Sequence, residues 1–288
     1  MVVETPLLIV GGDSDPNTQR IVDQAHLRGI DYLFWDTDRD DACQIAWDFH
    51  APAIDLGDQR VAPKSIFLRY NVFDGDASKN LAAFDVVQSF ALAWPEIRIL
   101  NRASMTDANN KSANLRHAIH AGFVIPDTFV LGNATPLAKM PCGDRHVIKP
   151  LGGGAHTRSV DSIANDTNAL SELNPQFVQE KLDGENLRVF SIDGNLFCFH
   201  LITDELDYRD DVQVDVVQVD VPLSVIEPTH RLAGKLQFDY CALDFRCRNG
   251  MSAPVFLEIN SFPMFVRFDD ASENALADAV LSFLVSGS

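Results

Sequence analysis

One segment, residues 240–263, constrains the fold of this chain more than any other. It is typical of two short strands joined at Asn249-Gly250, a dipeptide that favours a two-residue hairpin turn. Side chains alternate between the two faces of a strand, so Glu258 and Asn260, two residues apart, lie on one face. Pairing of the strands can bring Asp244 to that same face. The segment therefore predicts an antiparallel hairpin that gathers two carboxylates and an amide.

These three side chains offer the hard oxygen ligands that Mg²⁺ prefers in proteins, and Mn²⁺ can take its place. The alternative is a half-buried hairpin whose polar residues face solvent. The apolar run 255–257 directly before Glu258 favours the metal site. The spacing alone leaves both interpretations open.

Composition indicates a globular protein with a large core. The chain has 288 residues, 46% of them hydrophobic and 22% charged, which suits two domains or one elaborate α/β domain. The net charge of −18 argues against nucleic-acid and anionic-membrane partners, while it permits a cationic one. Five cysteines, an odd number without a C-x-x-C motif, predict reduced thiols in a cytoplasmic protein. The apolar run 7–10 is too short for a signal peptide or a membrane span.

The first third of the sequence predicts an α/β domain. The apolar run 7–10 ends at Gly11-Gly12, Asp15-Pro16 is typical of a helix start, and a second apolar strand covers residues 30–35. A strand–helix–strand order predicts a parallel sheet. The two glycines lack the spacing of a dinucleotide fingerprint, so we assign no nucleotide there. Further strands and a helix extend this domain to about residue 102.

After residue 102 the pattern changes to α+β with antiparallel hairpins. A helix is predicted over residues 108–121, capped by Thr106-Asp107. A second hairpin turn is predicted at Asp193-Gly194. The polar, acidic stretch 203–220 shows no regular pattern, and we expect it to frame the site of an acceptor substrate.

A lysine and a glycine loop suggest a phosphate site. Lys149 ends a predicted strand and is followed by Gly152, Gly153 and Gly154. Glycines let backbone N–H groups approach phosphate oxygens, and a lysine adds a positive charge. The loop is not a Walker A motif, because no G-K-[ST] follows. A flexible surface turn is the alternative, and Lys111 in the first turn of its predicted helix is on its own typical of a solvated charge.

Two further features lie beyond this loop. Residues 179–182 end a strand before Asp183-Gly184, and backbone exposed at such a break can bind an adenine edge through one N–H and one C=O; a plain strand end is the alternative. Arg188 lies among apolar residues of a predicted strand, where a guanidinium needs an anionic partner. Asp244, Glu258 and a bound phosphate all qualify as that partner.

Taken in order along the chain, these motifs resemble the ATP-grasp superfamily of carboxylate–amine ligases. The likeness covers about residues 101–270. It is closest to the RimK-like branch, which includes the ligases that macrocyclise microviridin-type ribosomal peptides. Two further features are similar to that branch: Asn101-Arg102, and the strand 66–70, which precedes this range. The motifs that carry it are Lys111, Lys149 with its glycine loop, Val178-Gln179-Glu180, Gly184-x-x-x-Arg188, Asp244 and Phe256-Leu-Glu-Ile-Asn260.

The resemblance implies an architecture. It predicts the ATP-grasp fold, with α/β and α+β parts. Residues 1–102 would form a pre-ATP-grasp α/β domain. Residues 103–183 would form the N-terminal ATP-grasp subdomain with the glycine loop, and residues 184–288 the C-terminal subdomain with the metal-binding hairpin. Members of the family are mostly dimers or tetramers, so a homo-oligomer is expected.

The resemblance also implies a nucleotide site. The lysines and the glycine loop would hold the ATP phosphates, and backbone atoms of Glu180 and Leu182 would hold adenine. Lys181 stands where relatives have an aromatic residue, and Glu185 or Asn186 would bind ribose where relatives often have Asp. The residues assigned to the nucleotide are Lys111, Lys149, Gly152, Gly153, Gly154, Glu180, Lys181, Leu182, Glu185 and Asn186.

The implied activity is ATP-dependent ligation. Asp244, Glu258 and Asn260 would bind Mg²⁺, while Arg188 and Arg209 would face the γ-phosphate and the substrate carboxylate. The enzyme would activate a carboxylate of a peptide or amino acid as an acyl phosphate and join it to an amine or a hydroxyl, releasing ADP and phosphate. Peptide tailoring in natural-product biosynthesis is the first expectation, and an amino-acid or glutamate ligase of RimK or glutathione-synthetase type is the second.

Two readings from other classes remain. A catalytically degenerate ATP-grasp protein would bind nucleotide and act as a scaffold for a partner. A small-molecule binding protein without ATP would require all of these residues to be structural.

Overall fold

The computed structural model describes most of the chain, and its strands form three sheets. For residues 77–80 it describes the backbone alone. The described ranges are 2–73, 77–104, 110–131, 145–151, 157–160, 176–203 and 214–286.

The first sheet has strand order β2-β1-β5-β4-β3, with β6 paired to β5. β1 is parallel to both β2 and β5, as the strand–helix–strand pattern predicts. The elements of this part are β1 (Val2–Gly11), α1 (Pro16–Leu27), β2 (Tyr32–Asp36), β3 (Ile45–Ala46), β4 (Ile54–Leu56), β5 (Gln59–Leu68), α2 (Ala77–Ala93) and β6 (Arg98–Ile99).

The start of α1 follows directly from the sequence. Asp15 has an extended backbone, and its side chain accepts a hydrogen bond from the N–H of Asn17, while Pro16 occupies the first helical position. The capping carboxylate also accepts from Arg69 at the end of β5, at 2.5 Å. The helix start is therefore fastened to the neighbouring strand.

The second sheet is antiparallel, with strand order β7-β10-β8-β9. The helix before it begins at Lys111 instead of 108, and its cap is Asn110, whose side chain accepts from the N–H of Ala113 at 3.0 Å. The predicted start at residue 108 was therefore wrong, because Asn110 accepts this hydrogen bond as well as an Asp does. Thr106-Asp107 lies outside the described residues. The elements are α3 (Lys111–Ala121), β7 (Thr128–Leu131), β8 (His146–Pro150), β9 (Arg158–Ser159) and β10 (Gln176–Glu180).

The third sheet is also antiparallel, with strand order β13-β12-β11-β14-β15. It contains the hairpin predicted around Asp193-Gly194 and the hairpin of residues 240–263. The elements are β11 (Asn186–Ile192), β12 (Asn195–Ile202), β13 (Asp215–Val219), α4 (Leu223–Leu236), β14 (Tyr240–Asn249), β15 (Ser252–Asn260), α5 (Val266–Asp270) and α6 (Ala275–Val285).

The β14–β15 hairpin differs from the prediction in two details. Asn249 pairs with Ser252, so the two-residue turn is Gly250-Met251, and Gly250 supplies the positive φ of 50°. The register also shifts between Asp244 and Phe245, where β15 carries one extra residue, Leu257. This bulge sets Asp244 directly opposite Glu258.

One hydrophobic cluster joins the first and third sheets. Leu7, Ile9 and Ile21 are fully buried in it together with Leu276 and Leu281 of α6. The helix α6 therefore covers one face of the first sheet although it follows the third sheet in sequence. No helix among the described residues has the length and apolar character to cross a membrane.

Candidate active site

A cavity of about 1020 Å³ is lined by residues of α3, of the second and third sheets, and of the start of α1. Gly152, Gly153, Gly154 and Arg209 lie outside the described residues. Glu185 is described but does not line the cavity. The predicted site residues that line it are Lys111, Lys149, Glu180, Lys181, Leu182, Asn186, Arg188, Asp244, Glu258 and Asn260.

The three predicted metal ligands lie together in this cavity. The Asn260 Nδ2 atom lies 3.4 Å from Asp244 Oδ2 and 3.4 Å from Glu258 Oε1. A half-turn of the amide replaces this nitrogen by its oxygen, so the group offers three oxygen donors. The set fits Mg²⁺. No group of three or more His, Cys, Asp and Glu side chains that could hold a metal occurs in the described part of the chain, so two carboxylates and an amide are what this site offers.

Asp244 is held by Arg188. The guanidinium makes two contacts with this carboxylate, at 2.6 Å from Nε and 2.8 Å from Nη2, and both side chains are largely buried. The guanidinium carbon of Arg188 also lies 5.1 Å and 6.0 Å from the ring centres of Phe268 and Phe190. Burial raises the pKa of Asp244, and the charge and hydrogen bonds of Arg188 oppose that shift. Of the two carboxylates open to Arg188 on sequence grounds, the structure pairs it with Asp244.

Glu258 is paired with Lys111. The ammonium nitrogen lies 2.9 Å from Glu258 Oε2. Burial works to raise the pKa of Glu258, but the charges of Lys111 and Lys149 outweigh it and hold that pKa below its ordinary value. Lys111, predicted from sequence to be solvated when taken alone, is thus part of the site. The two lysines and Arg188 surround two carboxylates with three positive charges.

The end of β10 presents a backbone edge to the cavity. The Glu180 N–H donates to the Asp127 carbonyl at 2.8 Å, and the Lys181 N–H donates to the Arg145 carbonyl at 2.7 Å. The Leu182 N–H has no backbone partner within the described ranges. This N–H is available to a ligand that offers an acceptor, whereas the N–H groups of Glu180 and Lys181 are already used.

The Glu180 side chain is ion-paired with Arg248 of β14, which sequence reasoning missed. The hydrogen bonds from Arg248 lower the pKa of Glu180, with a further contribution from the Asp127 N–H. Arg248 lies at the polar end of its hairpin strand. The pair links the second sheet to the third.

Gly184 lies against the same hairpin. Its N–H donates to the Cys247 carbonyl at 3.0 Å, and the side chain of Arg246 donates to the Gly184 carbonyl at 3.0 Å. A Cβ atom at this position would lie 2.2 Å from the Cys247 oxygen. The close approach of the two backbones therefore requires glycine at the start of the Gly184-x-x-x-Arg188 motif.

The two candidates for the ribose differ in position. Asn186 lines the cavity. Glu185 instead contacts His200 of β12, with 2.8 Å between Glu185 Oε2 and His200 Nε2.

Asn101 fastens the two strands that carry the predicted metal ligands. Its side chain donates to the carbonyls of Tyr240 and Ser261, at 2.8 Å and 2.6 Å, and accepts from the Tyr240 N–H at 2.9 Å. Asn101 is fully buried and has a positive φ of 55°. The Asn101 side chain thereby joins the start of β14 to the residue that follows β15.

The loop after β15 is fastened to the first sheet. Asn17 Oδ1 accepts from the Phe265 N–H at 2.8 Å, and Arg69 Nη1 lies 3.4 Å from the Pro263 carbonyl. The Tyr240 hydroxyl donates to the same carbonyl at 3.3 Å. Pro16, Asn17, Phe73 and Arg267 also line the cavity. No local sequence signal indicates them, because they depend on how distant segments pack.

These elements and their order define the ATP-grasp fold, which confirms the predicted fold class. A structure of the ATP-grasp ligase PsnB complexed with a minimal precursor has a TM-score of 0.77 and 22% identity, over 97% of this chain and 98% of that chain. The macrocyclase MdnC from Microcystis aeruginosa MRC, bound with precursor peptide MdnA, has a TM-score of 0.74 and 18% identity over 100% of both chains.

A third solved structure shows the same likeness. A RiPP-associated ATP-grasp ligase from Chryseobacterium gregarium, in complex with ADP and a leader and core peptide, has a TM-score of 0.72 and 16% identity, over 98% of this chain and 97% of that chain. No family model and no curated protein sequence matches the chain. At these identities the likeness establishes the fold.

Proposed function

We propose that this protein is an ATP-dependent ligase that activates a carboxylate as an acyl phosphate and joins it to an amine or a hydroxyl. The observation that carries the proposal is the cavity in which Asp244, Glu258 and Asn260 face Lys111, Lys149 and Arg188. Carboxylates that hold a divalent metal, surrounded by fixed cations, suit a polyphosphate undergoing transfer.

The residues present fit Mg·ATP. Asp244, Glu258 and Asn260 would hold Mg²⁺, or Mn²⁺ in its place, and the metal would supply charge neutralisation on the phosphates. Lys111 and Lys149 would contact phosphate oxygens, together with the glycine loop 152–154. PsnB has been solved with a minimal precursor, Mg and ADP, which supports this assignment.

The nucleoside would lie along the end of β10. Backbone atoms of Glu180 and Leu182 would bind adenine, with the side chain of Lys181 left outside the recognition. Asn186 would bind ribose, and we prefer it to Glu185 because it lines the cavity.

The reaction would occur in two steps. A substrate carboxylate attacks the γ-phosphorus, which forms an acyl phosphate and releases ADP; an amine or hydroxyl then attacks the acyl carbon and expels phosphate. Arg188 and Arg209 would face the γ-phosphate and the substrate carboxylate. Because Arg188 is fixed by Asp244, it would stabilise charge without moving. No enzyme nucleophile is required.

The substrate we propose is a peptide, and the role is peptide tailoring. The support is that solved relatives of the same fold, PsnB and MdnC, are complexed with precursor peptides. The intact lysines and metal ligands argue against a degenerate scaffold.

We further propose the division into residues 1–102, 103–183 and 184–288, because one sheet falls within each range. A homo-oligomer remains an expectation from the family. A cytoplasmic location agrees with Cys198, Cys241 and Cys247, which are buried and form no disulfide with a described residue.

The decisive experiment measures ADP and phosphate release from Mg·ATP with pools of peptides and amino acids, in the presence of hydroxylamine. ADP together with a peptide hydroxamate supports the proposal, and an amino-acid hydroxamate would instead indicate a RimK-type ligase. Tight Mg·ATP binding without turnover on any pool would favour the scaffold. Failure of Mg·ATP to protect the protein against thermal unfolding would favour a binding protein without ATP.

A further inference from the structure

A second cavity, of about 540 Å³, shares no lining residue with the candidate active site. It lies where three parts of the chain meet: the segment from the end of α2 through β6, the end of α4, and the last turns of α6. Its volume falls within the range of small-molecule sites, about 300–1,000 Å³. We call it the second cavity.

Arg98 of β6 brings a guanidinium to the second cavity. Its three hydrogen bonds all leave from Nη1, to the carbonyls of Phe283 and Ser286 and to the Ser286 hydroxyl. These bonds hold the side chain against the end of α6, and the guanidinium carbon lies 5.7 Å from the centre of the Phe283 ring. Arg98 makes no ion pair with a described residue, and its Nε and Nη2 make no hydrogen bond with one. These two nitrogens form the fork that suits a carboxylate.

The other arginine of the lining has a structural role. Arg102 donates to the carbonyls of Ala91 and Trp94 at 2.6 Å and 3.3 Å, and also to the carbonyl of Ile97. It therefore binds the carbonyls at the end of α2, where the helix leaves them without backbone donors. Of the two arginines, Arg98 is the one whose fork is open to a ligand.

Asp239, between α4 and β14, brings a half-buried carboxylate to the same cavity. Its Oδ2 atom accepts from the Asn101 N–H at 2.9 Å, and its Oδ1 atom has no partner among the described residues. Burial raises the pKa of Asp239, the charge of Asp193 adds to the shift, and the hydrogen bond from Asn101 opposes it. A cation beside Oδ1 would stabilise the ionised carboxylate.

Apolar surface completes the lining. The Phe283 ring is half-buried, so part of it is available to a ligand. An aromatic ring offers a large apolar contact area at a small cost in conformational entropy. The other apolar side chains of the lining are buried: Ile97, Ile99 and Phe238.

We propose that the second cavity binds a free α-amino acid with an apolar side chain. The fork of Arg98 receives the carboxylate, Oδ1 of Asp239 receives the ammonium group, and the Phe283 ring contacts the side chain. Both charged ends of the ligand are required, because a ligand with only one of them leaves either Arg98 or Asp239 without a partner of opposite charge.

Asn101 connects the second cavity to the predicted metal-binding hairpin. Its backbone N–H donates to Asp239, and its side chain donates to the carbonyls of Tyr240 and Ser261. A ligand that binds Asp239 acts on the residue that joins β14 to the end of β15. We therefore expect the amino acid to be an effector of the nucleotide site. This part of the inference rests on the proposed function.

The first test uses isothermal titration calorimetry on the full chain without nucleotide. The probes are L-leucine, L-leucinamide, which lacks the carboxylate, and N-acetyl-L-leucine, which lacks the ammonium group. We expect L-leucine to bind about tenfold more tightly than either derivative, as the loss of one charged hydrogen bond predicts. This comparison needs only the wild-type protein, so it does not depend on whether a variant folds.

Two variants assign the ends of the ligand. Arg98→Gln removes the preference for L-leucine over L-leucinamide and keeps the preference over N-acetyl-L-leucine. Asp239→Asn keeps an acceptor for the Asn101 N–H and has the opposite effect on the two preferences. Arg39→Gln and Asp41→Asn remove the same charges from an exposed pair outside both cavities and behave as the wild type. Thermal unfolding verifies that each variant is folded.

The proposal is overturned if the three probes bind equally, if none binds saturably at millimolar concentration, or if Arg98→Gln keeps the preference for L-leucine over L-leucinamide. Binding of L-leucine that is lost in Glu258→Gln and kept in Arg98→Gln would also overturn it, because the amino acid would then lie in the active-site cavity.

The second test measures the Kd for Mg·ADP with and without saturating L-leucine. We expect a change of about fivefold, at the lower end of known couplings between sites, and no change in Arg98→Gln. L-leucine binding without any change in this Kd rejects the effector role. A protein that binds L-leucine but not Mg·ADP rejects the proposed nucleotide site and leaves the amino-acid site. A protein that binds Mg·ADP but not L-leucine rejects the amino-acid site and leaves the proposed function.

Discussion

The inner end of the active-site cavity and its mouth use charge in opposite ways. At the inner end, Asp244 and Glu258 lie in strands and are paired with Arg188 and Lys111. At the mouth, Arg267 is exposed and makes no pair within the described ranges. Paired charges fix a geometry, and they contribute little to distinguishing one substrate from another. An unpaired charge at the mouth contributes little to the fold and is available to a ligand.

The largest expected effect comes from a substitution at the inner end of the cavity. Asp244→Ala leaves the buried Arg188 without its anionic partner and lowers the free energy of unfolding by about 3–5 kcal/mol. Arg267→Gln changes the free energy of unfolding by about 0.5 kcal/mol or less, because Arg267 is exposed and makes no pair with a described residue. Urea unfolding followed by circular dichroism measures both.

The double variant Arg188→Leu/Asp244→Leu is the control for this prediction. It recovers most of the stability, because no unpaired charge remains, while Mg·ATP no longer protects the protein. Wild-type stability in the Asp244→Ala single variant would show that the ion pair does not hold the inner end.

The second prediction separates chemistry from stability within the inner end. Glu258→Gln lowers ATP turnover by a factor on the order of 10² or more, as loss of one charge-stabilising group does. The free energy of unfolding changes by about 1 kcal/mol or less, since the Glu258 side chain is 33% exposed. Glu227→Gln, on an exposed i,i+4 pair of α4, is the matched control and retains turnover. Full activity of Glu258→Gln would remove this residue from the metal site.

The third prediction addresses the connection between the two ends. Asn17→Ala removes the acceptor of the buried Phe265 N–H and lowers the free energy of unfolding by about 1–2 kcal/mol. Because this segment carries Met264 and Arg267 at the mouth of the cavity, KM for a peptide substrate rises more than KM for ATP. Steady-state kinetics with each substrate varied measures this, and Gln19→Ala, which loses an exposed contact to Asp13, is the control. Equal changes in both KM values would show that this loop has no separate effect on peptide binding.

The smallest effect concerns the pair that links the second and third sheets. Arg248→Gln removes the partner of Glu180 and costs about 0.5 kcal/mol at neutral pH, because solvent screens an exposed pair. The folded-state pKa of Glu180 is lowered, so this contribution is present above the ordinary pKa of glutamate, about 4.3, and is lost as the pH falls through the lowered value.

Unfolding of wild type and Arg248→Gln at neutral and strongly acidic pH checks this sign. The difference in free energy of unfolding between the two proteins becomes smaller at strongly acidic pH. A difference that grows in acid would contradict the assignment of the pKa shift to Arg248.

Local patterns predicted the parts of the site that lie on regular elements. Alternation along β15 placed Glu258 and Asn260 on one face, and the predicted hairpin allowed Asp244 to join them. The same patterns missed the bulge at Leu257 and the one-residue offset of the turn, because register is decided by what the two faces pack against. The roles assigned to the individual site residues stay predictions.

Contacts between distant segments were not predictable from one sequence. Arg248 meets Glu180, and Asn17 meets Phe265, only after the sheets have packed. The start of α3 was missed for a different reason. Asn110, Thr106 and Asp107 are all competent caps, and local propensity does not choose among them.

The helix α6 has a consequence for how the protein is made. It covers Leu7, Ile9 and Ile21 of the first sheet and α1, yet it is translated about 250 residues later. At about 5–20 residues per second, a ribosome takes on the order of 10–50 seconds to cover that distance. Through this interval the nascent chain presents an uncovered apolar face. The time between the synthesis of α1 and that of α6 is therefore when the chain is most open to aggregation and to capture by a chaperone.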